Sequence, residues 1–291
     1  MVHTSPALSG AVTGIVLLND RLYVIHNGSW QIAVYCPTTL QFQEHLNFYC
    51  NSCRVQSAYV LQCSCRLHFD SRYRRELQHM VECAINNCLY VSIEDTYYGH
   101  HICKVAIDQN NTLTAWSVNS VGSAPLGLSV TSSHNLLVAF SNKSMLLEYS
   151  PDGQQIRQIN LQRAGITNPI HSVQLSNGQF GIVHRRHRGP KHQFSVVNTT
   201  GGKLIQSYSG DAGELSEPQG IAVDQQQDRL FLVDRNNNRI LVMDSNSLAA
   251  YPLPLPADCA LNGPHSIYFD AKNSRLYIGE WAGQRIHCCQ L

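Results

Sequence analysis

Short apolar runs separated by turn residues dominate the pattern of hydrophobic and polar positions along the chain. In the clearest stretch, Pro218–Asp224, Arg229–Asp234 and residues 238–244 are three such runs in succession. Runs of this length, rich in β-branched and aromatic residues and bounded by Gly, Asn, Asp and Gln, are typical of strands. A more polar fourth segment follows the third run in other parts of the chain, as in residues 203–209. The pattern therefore predicts four-stranded units whose first strand is buried on both faces.

This unit recurs six times. Equivalent positions in the six first strands are separated by 45–48 residues, apart from a first interval of 66, and they are Gly14, Met80, Gly127, Ser172, Gly220 and Ser266. Four strands at a period near 46 are typical of a propeller blade, because one unit alone cannot bury both of its faces. We therefore predict an all-β fold, a six-bladed β-propeller of four-stranded blades that forms a single domain over residues 1–291.

Two irregularities in the repeat carry further predictions. The long first interval contains about twenty additional residues, which indicates an insertion over residues 46–77 between blades one and two. The sixth copy stops at its third strand. We therefore expect the residues before Gly10 to supply the outer strand of blade six and so to close the ring.

The clearest copy also carries a family resemblance. Residues 218–244 contain Pro-x-Gly-Ile-Ala-Val-Asp, then an aromatic-hydrophobic-Val-Asp strand, then Asn-x-Arg-Ile. This order resembles the NHL-repeat family; the final copy matches well, the other four match in outline, and the likeness covers about residues 10–291. It implies four-stranded NHL-type blades, and the NHL propellers of tripartite-motif proteins bind protein or RNA through one face of the ring. RING, B-box and coiled-coil segments are absent from this sequence, so ligase activity is not implied.

Composition narrows the choice of partner. Charged residues make up 14% of the chain and the net charge is +1, which argues against a strongly basic nucleic-acid arm. No apolar run approaches the roughly 18 residues of a membrane span. We expect a cytoplasmic, monomeric protein with reduced cysteines, although four sequons are present.

Nucleophile-elbow, zincin and phosphate-loop motifs are absent from the sequence. A non-catalytic scaffold that binds a protein partner through its loops is therefore the favoured function.

The first alternative is RNA binding through residues 184–192. This segment lies between the second and third strands of blade four and carries Arg185, Arg186, Arg188 and Lys191, with a Gly-Pro pair that prevents regular structure. An exposed basic loop of this kind suits phosphates or an acidic protein surface. Only histidines are available within it for stacking on bases, and a solvated loop without a ligand is equally compatible with the pattern.

The second alternative is a zinc-dependent lyase. Histidines precede the aligned first-strand positions in three alternate copies, at His79, His171 and His265. Imidazoles on alternate blades of a six-membered ring could converge on one metal ion. The arrangement is similar to that of the peptidyl-α-hydroxyglycine α-amidating lyase family, whose zinc histidines sit in Pro-His-Ser/Gly-Leu motifs. Residues 264–267 match that motif closely, whereas His171 is one residue further from its proline and His79 has no proline.

Two further groups of residues are candidates for metal binding or catalysis. Cys50, Cys53, Cys63 and Cys65 in the insertion could form a zinc site, but their spacing is poor for one and we interpret them as incidental. We therefore expect no cofactor, with zinc as the alternative. Acids that recur with the repeat indicate turn capping rather than catalysis, and they are Asp224, Asp234, Asp244 and Asp270.

Overall fold

The structure is a computed structural model of the chain. It describes residues 2–291 except 30, 47, 51–54, 58–74, 96–100, 109–110, 118–124, 141–142, 186–191, 201, 209, 211–213 and 257–258. Six sheets form the ring, as predicted, and the four strands of each blade pair antiparallel. Within the described part of the chain, no helix is long and apolar enough to cross a lipid bilayer.

The strands follow one another in chain order, each blade starting with its inner strand. The N-terminal strand β1 is Val2–Thr4; blade one contains β2 (Val12–Leu18), β3 (Arg21–His26), β4 (Ile32–Tyr35) and β5 (Phe42–His45); the insertion contains β6 (Phe48–Cys50) and β7 (Val55–Ser57); blade two contains β8 (Arg75–Cys83), β9 (Cys88–Asp95), β10 (His101–Ala106) and β11 (Thr112–Ser117); blade three contains β12 (Pro125–Val130), β13 (Leu136–Phe140), β14 (Met145–Tyr149) and β15 (Gln155–Asn160).

The second half of the ring has the same order. Blade four contains β16 (Asn168–Gln174), β17 (Phe180–Arg185), β18 (His192–Val197) and β19 (Leu204–Tyr208); blade five contains β20 (Pro218–Asp224), β21 (Arg229–Asp234), β22 (Arg239–Asp244) and β23 (Ala250–Pro252); blade six contains β24 (Pro264–Asp270), β25 (Arg275–Glu280) and β26 (Ile286–Gln290). We call the face where the inner strands begin the upper face and the face where they end the lower face.

The predicted ring closure is confirmed. β1 pairs antiparallel with β26 and completes blade six as its fourth strand. The Ser5 amide donates to the Ile286 carbonyl at 2.8 Å, and the Ser5 hydroxyl accepts from the Ile286 amide at 2.9 Å. The first residues of the chain and the last blade therefore hold each other in place.

Part of the insertion lies on the outer edge of blade two. β6 and β7 form a hairpin, and β6 pairs in parallel with β11, so that this sheet has six strands. Residues 75–77, predicted as part of the insertion, already belong to β8, while residues 47, 51–54 and 58–74, which include Cys53, Cys63 and Cys65, lie outside the described residues.

The core lies between the blades. Each of the six interfaces between neighbouring blades contains its own cluster of buried apolar side chains. In the second strands of blades one, two and six, fully buried tyrosines fill equivalent volumes, at Tyr23, Tyr90 and Tyr277. Because every blade packs on two others, the ring stabilises strands that would not be stable in isolation.

The repeated aspartates cap turns, as predicted. Asp224 accepts hydrogen bonds from the amides of the following turn and forms an ion pair with Arg229 at 2.8 Å. Asp270 and Asp244 accept from the amides two and three residues later. The fully buried Asp234 accepts from the Ser216 amide at 2.7 Å and thereby holds the connection that enters its blade.

Candidate ligand-binding face

The pairing register separates the three channel histidines into two kinds. His79 and His171 each follow a bulge in the inner strand and pair with Ser92 and Val183. In blade six the corresponding residue is Ser266, and His265 lies one residue earlier, within the bulge. This differs from the predicted alignment, which placed all three at one level, because the bulges do not fall at the same sequence position in every blade.

The structure brings His79 and His171 together. Their ring centroids are 4.6 Å apart, although blade three lies between the blades that carry them. The inner strand of blade three has Gly127 at this level, where a Cβ atom would lie 2.5 Å from the Ile170 carbonyl oxygen and 2.6 Å from the His171 Cα. Glycine is therefore required for this close approach. His265 packs instead against Trp281, with ring centroids 5.2 Å apart.

Hydrogen bonds to neighbouring blades occupy both nitrogens of His171. Its Nε2 donates to the Leu128 carbonyl of blade three at 3.0 Å, and its Nδ1 accepts from the Ile221 amide of blade five at 3.1 Å. The Leu128 amide in turn donates to Nδ1 of His79 at 3.3 Å. These imidazoles therefore link the inner strands of blades two to five.

All three imidazoles are uncharged at neutral pH. Burial lowers the pKa of His171 and of His265 to about 4, and for His265 the nearby Arg235 lowers it further while a hydrogen bond to the Thr13 carbonyl opposes the shift. Burial, with the other two histidines, holds the pKa of His79 well below its usual value. Uncharged imidazole is the form that binds metals.

The donor set fits a zinc ion poorly. Among the described residues, no three His, Cys, Asp or Glu side chains are grouped as metal ligands. His265 has a buried Nδ1 without a partner in the described part of the chain, but a metal at His171 would have to displace the Ile221 amide. The three-histidine zinc site stays a prediction.

A row of charged and aromatic side chains runs across the upper face towards His265. Arg185 is 3.5 Å from Glu217, which is 3.8 Å from Arg235 (Nη to Oε in both cases). The Arg235 guanidinium carbon lies 5.0 Å from the ring centroid of Trp281. We call these four residues the upper-face array. Their side chains are partly exposed, and they belong to blades four, five and six and to the connection between blades four and five.

The base of the predicted basic loop lies next to this array. Arg185 and His192 end and begin the two strands that the loop joins, and they pair with each other. Arg185 also pairs with Asn168, the first residue of the inner strand that carries His171. The loop is therefore attached at the upper face. Arg186, Arg188 and Lys191 lie outside the described residues.

Comparison with known proteins identifies the repeat. Residues 215–243 match the NHL repeat. This part of blade five is an NHL repeat. None of the curated protein sequences compared with the chain matches it.

Solved structures that resemble the whole chain are propellers with different activities. The PQQ-bound aldose sugar dehydrogenase from Streptomyces coelicolor is 10% identical, covers 99% of this chain and 98% of its own, and has a TM-score of 0.66. A streptogramin B lyase is 13% identical, with coverage of 99% and 97% and a TM-score of 0.64. The virginiamycin B lyase from Staphylococcus aureus is 12% identical, with coverage of 100% and 99% and a TM-score of 0.62. At these identities the likeness shows the fold alone.

Two residues of the upper-face array that the sequence motifs do not indicate, Glu217 and Arg235, lie within the matched NHL repeat. The sequence does contain a signal for Arg235, because Trp281 lies 46 residues after it, which is one repeat period. Equivalent positions in neighbouring blades lie on the same face of the ring, so this spacing places both side chains on one surface. Residue type alone points to histidines and clustered cations, and so does not indicate Glu217 or Arg235.

Proposed function

We propose that the protein is a non-catalytic binding propeller that recognises an acidic polypeptide segment on its upper face. The observation that supports this proposal is the upper-face array beside the attachment points of the basic loop. Trp281 offers a flat apolar surface, and the Arg185 and Arg235 guanidinium groups border it with donors suited to carboxylates. Aromatic and arginine side chains together are the groups most often found at the centre of binding surfaces.

The ion pairs within the array favour a carboxylate ligand over an uninterrupted phosphate chain. Glu217 lies between the two arginines and neutralises part of their charge, so a polyphosphate backbone across this surface would meet a carboxylate. Since exposed ion pairs of this kind contribute about 1 kcal/mol or less, a partner's carboxylates can compete for the arginines at little cost.

Peptide selection tests this proposal. A library of random peptides is selected on the full chain, and the enriched peptides are measured against Arg235→Gln, Trp281→Ala and Lys272→Gln. Lys272 is an exposed cation in the lower-face turn of blade six, so its variant removes the same charge from the opposite face. We expect peptides rich in Asp and Glu whose affinity falls at least tenfold in the first two variants and is unchanged in the third. Enriched peptides that bind all four proteins equally would contradict the proposal.

RNA is the second candidate, and one observation favours it. The basic loop contains no Phe, Tyr or Trp, but Trp281 and the guanidinium of Arg235 form a stacking surface on the face to which the loop is attached. Fluorescence anisotropy with a labelled single-stranded oligouridine at 50 and 200 mM salt tests this candidate. RNA recognition predicts binding that falls steeply with salt and that is weakened in Trp281→Ala. Binding that is unaltered in Trp281→Ala would exclude this surface as the RNA site.

A further inference from the structure

Among the residues that the structure describes, one acidic side chain lines the lower half of the central channel. Glu82 occupies the second-to-last paired position of the inner strand of blade two, opposite Leu89. Counted from the bulge, the same position in the other blades is apolar or an uncharged amide, and these residues are Leu17, Val130, Gln174, Val223 and Phe269. The repeat therefore does not require a carboxyl group here.

The cavity around Glu82 is otherwise suited to an apolar molecule. The channel has a volume of about 300 Å³ and is partly open to solvent; aliphatic side chains such as Ile15, Ile221 and Ile267 form much of its wall, and Gln174, Gln225, Ser129 and Ser266 also line it. A dry apolar cavity of roughly 150 Å³ is already large enough to hold benzene. No Lys or Arg lines this channel among the described residues. Its two histidines, His79 and His171, are the uncharged ones described above.

Tyr268 lies beside Glu82 in the channel. The Tyr268 hydroxyl donates to the Leu17 carbonyl of blade one at 3.3 Å. Glu82 itself is only partly buried, because the channel is partly open to solvent. Desolvation within the channel nevertheless raises the pKa of its carboxyl group to about 7, and the Glu82 amide and the Tyr268 hydroxyl partly oppose this shift.

Two hydroxyl groups that line the channel lack a partner. Ser129 and Ser266 are 7% and 4% exposed, and neither hydroxyl has a hydrogen-bond partner in the described part of the chain. Ser129 lies on the blade next to Glu82, one residue before Val130, which stands at the level of Glu82. A buried hydroxyl without a partner is unfavourable, so a donor on a ligand would form a hydrogen bond that the protein alone does not provide.

We propose that the central channel is a binding site for a small organic cation, an ammonium group attached to an apolar body, whose ammonium pairs with Glu82. The aliphatic wall takes the apolar body, and an ammonium group has three N–H donors for the Glu82 carboxylate and the Ser129 hydroxyl. The ligand also supplies the positive charge that the lining of the channel lacks, so the desolvated carboxylate of Glu82 gains an opposite charge as its partner. This site lies below the upper-face array and is independent of the function proposed for that face.

Calorimetry with benzylamine and benzyl alcohol tests the proposal. The two probes have nearly the same shape, but only benzylamine carries a charge. We expect benzylamine to bind the full chain at pH 7.5 and benzyl alcohol to bind at least tenfold more weakly. At pH 6.5 the binding of benzylamine should release about three quarters of a proton, measured from the heats in two buffers of different ionisation enthalpy, because the protonated fraction of Glu82 must ionise to pair with it.

Two variants distinguish binding of the amine at Glu82 from non-specific binding of cations to carboxylates on the surface. Glu82→Gln keeps the shape of the side chain and should lower benzylamine affinity at least tenfold, whereas Glu214→Gln removes an exposed carboxylate and should leave it unchanged. Within the unmodified chain, affinity should fall with pH below 7 for the amine and stay constant for the alcohol. Equal affinity for both probes, unchanged amine binding by Glu82→Gln, or no binding of the amine at millimolar concentration would each overturn the proposal.

Discussion

Acidification changes the free energy of unfolding in opposite directions through the histidines at the upper end of the channel and through Glu82 at the lower end. Substitution of Glu82 separates the two effects. The pKa of His171 is about 4 in the folded chain and near 6.5 when unfolded, so between these pH values the unfolded chain binds more protons. Stability contributed by the uncharged imidazole is therefore complete above pH 6.5 and is lost as pH falls towards 4. One pKa unit corresponds to about 1.4 kcal/mol, which gives roughly 3 kcal/mol for His171. His265 contributes a similar amount in the same direction.

Glu82 has the opposite sign. Its pKa is about 7 in the folded chain and near 4.5 when unfolded, so the folded chain binds more protons between these values. Its contribution is complete below pH 4.5 and is lost as pH rises through 7, again by roughly 3 kcal/mol. On acidification from pH 7 to 4.5, the gain from Glu82 therefore offsets about half of the loss from the two histidines.

The assay is urea unfolding at a series of pH values between 4.5 and 7.5 for the unmodified chain, Glu82→Gln and the double variant Glu82→Gln/His171→Gln. On acidification over this range, the free energy of unfolding of Glu82→Gln should fall by about 3 kcal/mol more than that of the unmodified chain, because the variant lacks the gain from Glu82. The double variant also lacks the loss from His171, so its free energy of unfolding should fall by about 3 kcal/mol less than that of Glu82→Gln. Substitution of the exposed His3 should leave the profile unchanged. Parallel profiles for the unmodified chain and Glu82→Gln would refute the assignment of a raised pKa to Glu82.

Three further predictions concern stability and metal content. Deletion of residues 1–9 should lower the free energy of unfolding by about 2–3 kcal/mol, because it removes the β1 pairing and the Ser5 bonds to Ile286; an unchanged urea midpoint would refute ring closure by exchange. Asp234→Ala should cost about 3–5 kcal/mol in the same assay, since it removes the buried carboxylate that accepts from the Ser216 amide and pairs with Arg239, whereas Asp244→Asn at an exposed turn should cost less than 1 kcal/mol. Elemental analysis of the purified chain should find far less than one zinc ion per molecule; stoichiometric zinc that disappears in His265→Ala would support the lyase alternative.

The repeat made the fold predictable from sequence, whereas local register was not predictable. Runs such as Pro218–Asp224 and Pro264–Asp270 are strands with the predicted bounds, and the ring closure by β1 followed from the missing fourth strand of the last copy. The positions of bulges depend on how each inner strand packs around the axis, and apolar runs without alternation do not show them. For this reason His265 was aligned with His79, although the structure places it one residue earlier.

Contacts between blades were the other feature beyond the reach of sequence patterns. His171 bonds to backbone groups about 43 and 50 residues away, on the blades before and after it. Backbone donors and acceptors are the same for every residue type, so no motif indicates such partners. The histidine pattern was therefore informative about position near the axis, but the chemistry of His171 follows from which peptide groups face it.

The upper and lower ends of the channel differ in chemistry because different side chains interrupt the repeat at each end. In a ring of equivalent strands the backbone presents the same groups at each level, so ligand preference depends on the few positions where one blade carries an unlike side chain. Near the upper face these are imidazoles that burial keeps uncharged, and beside them is the array formed by Arg235 and Trp281. Near the lower face it is Glu82 among aliphatic neighbours. An anionic ligand is therefore suited to the upper face and a cationic one to the channel, and the occupancy of one site need not exclude the other, because separate side chains form them.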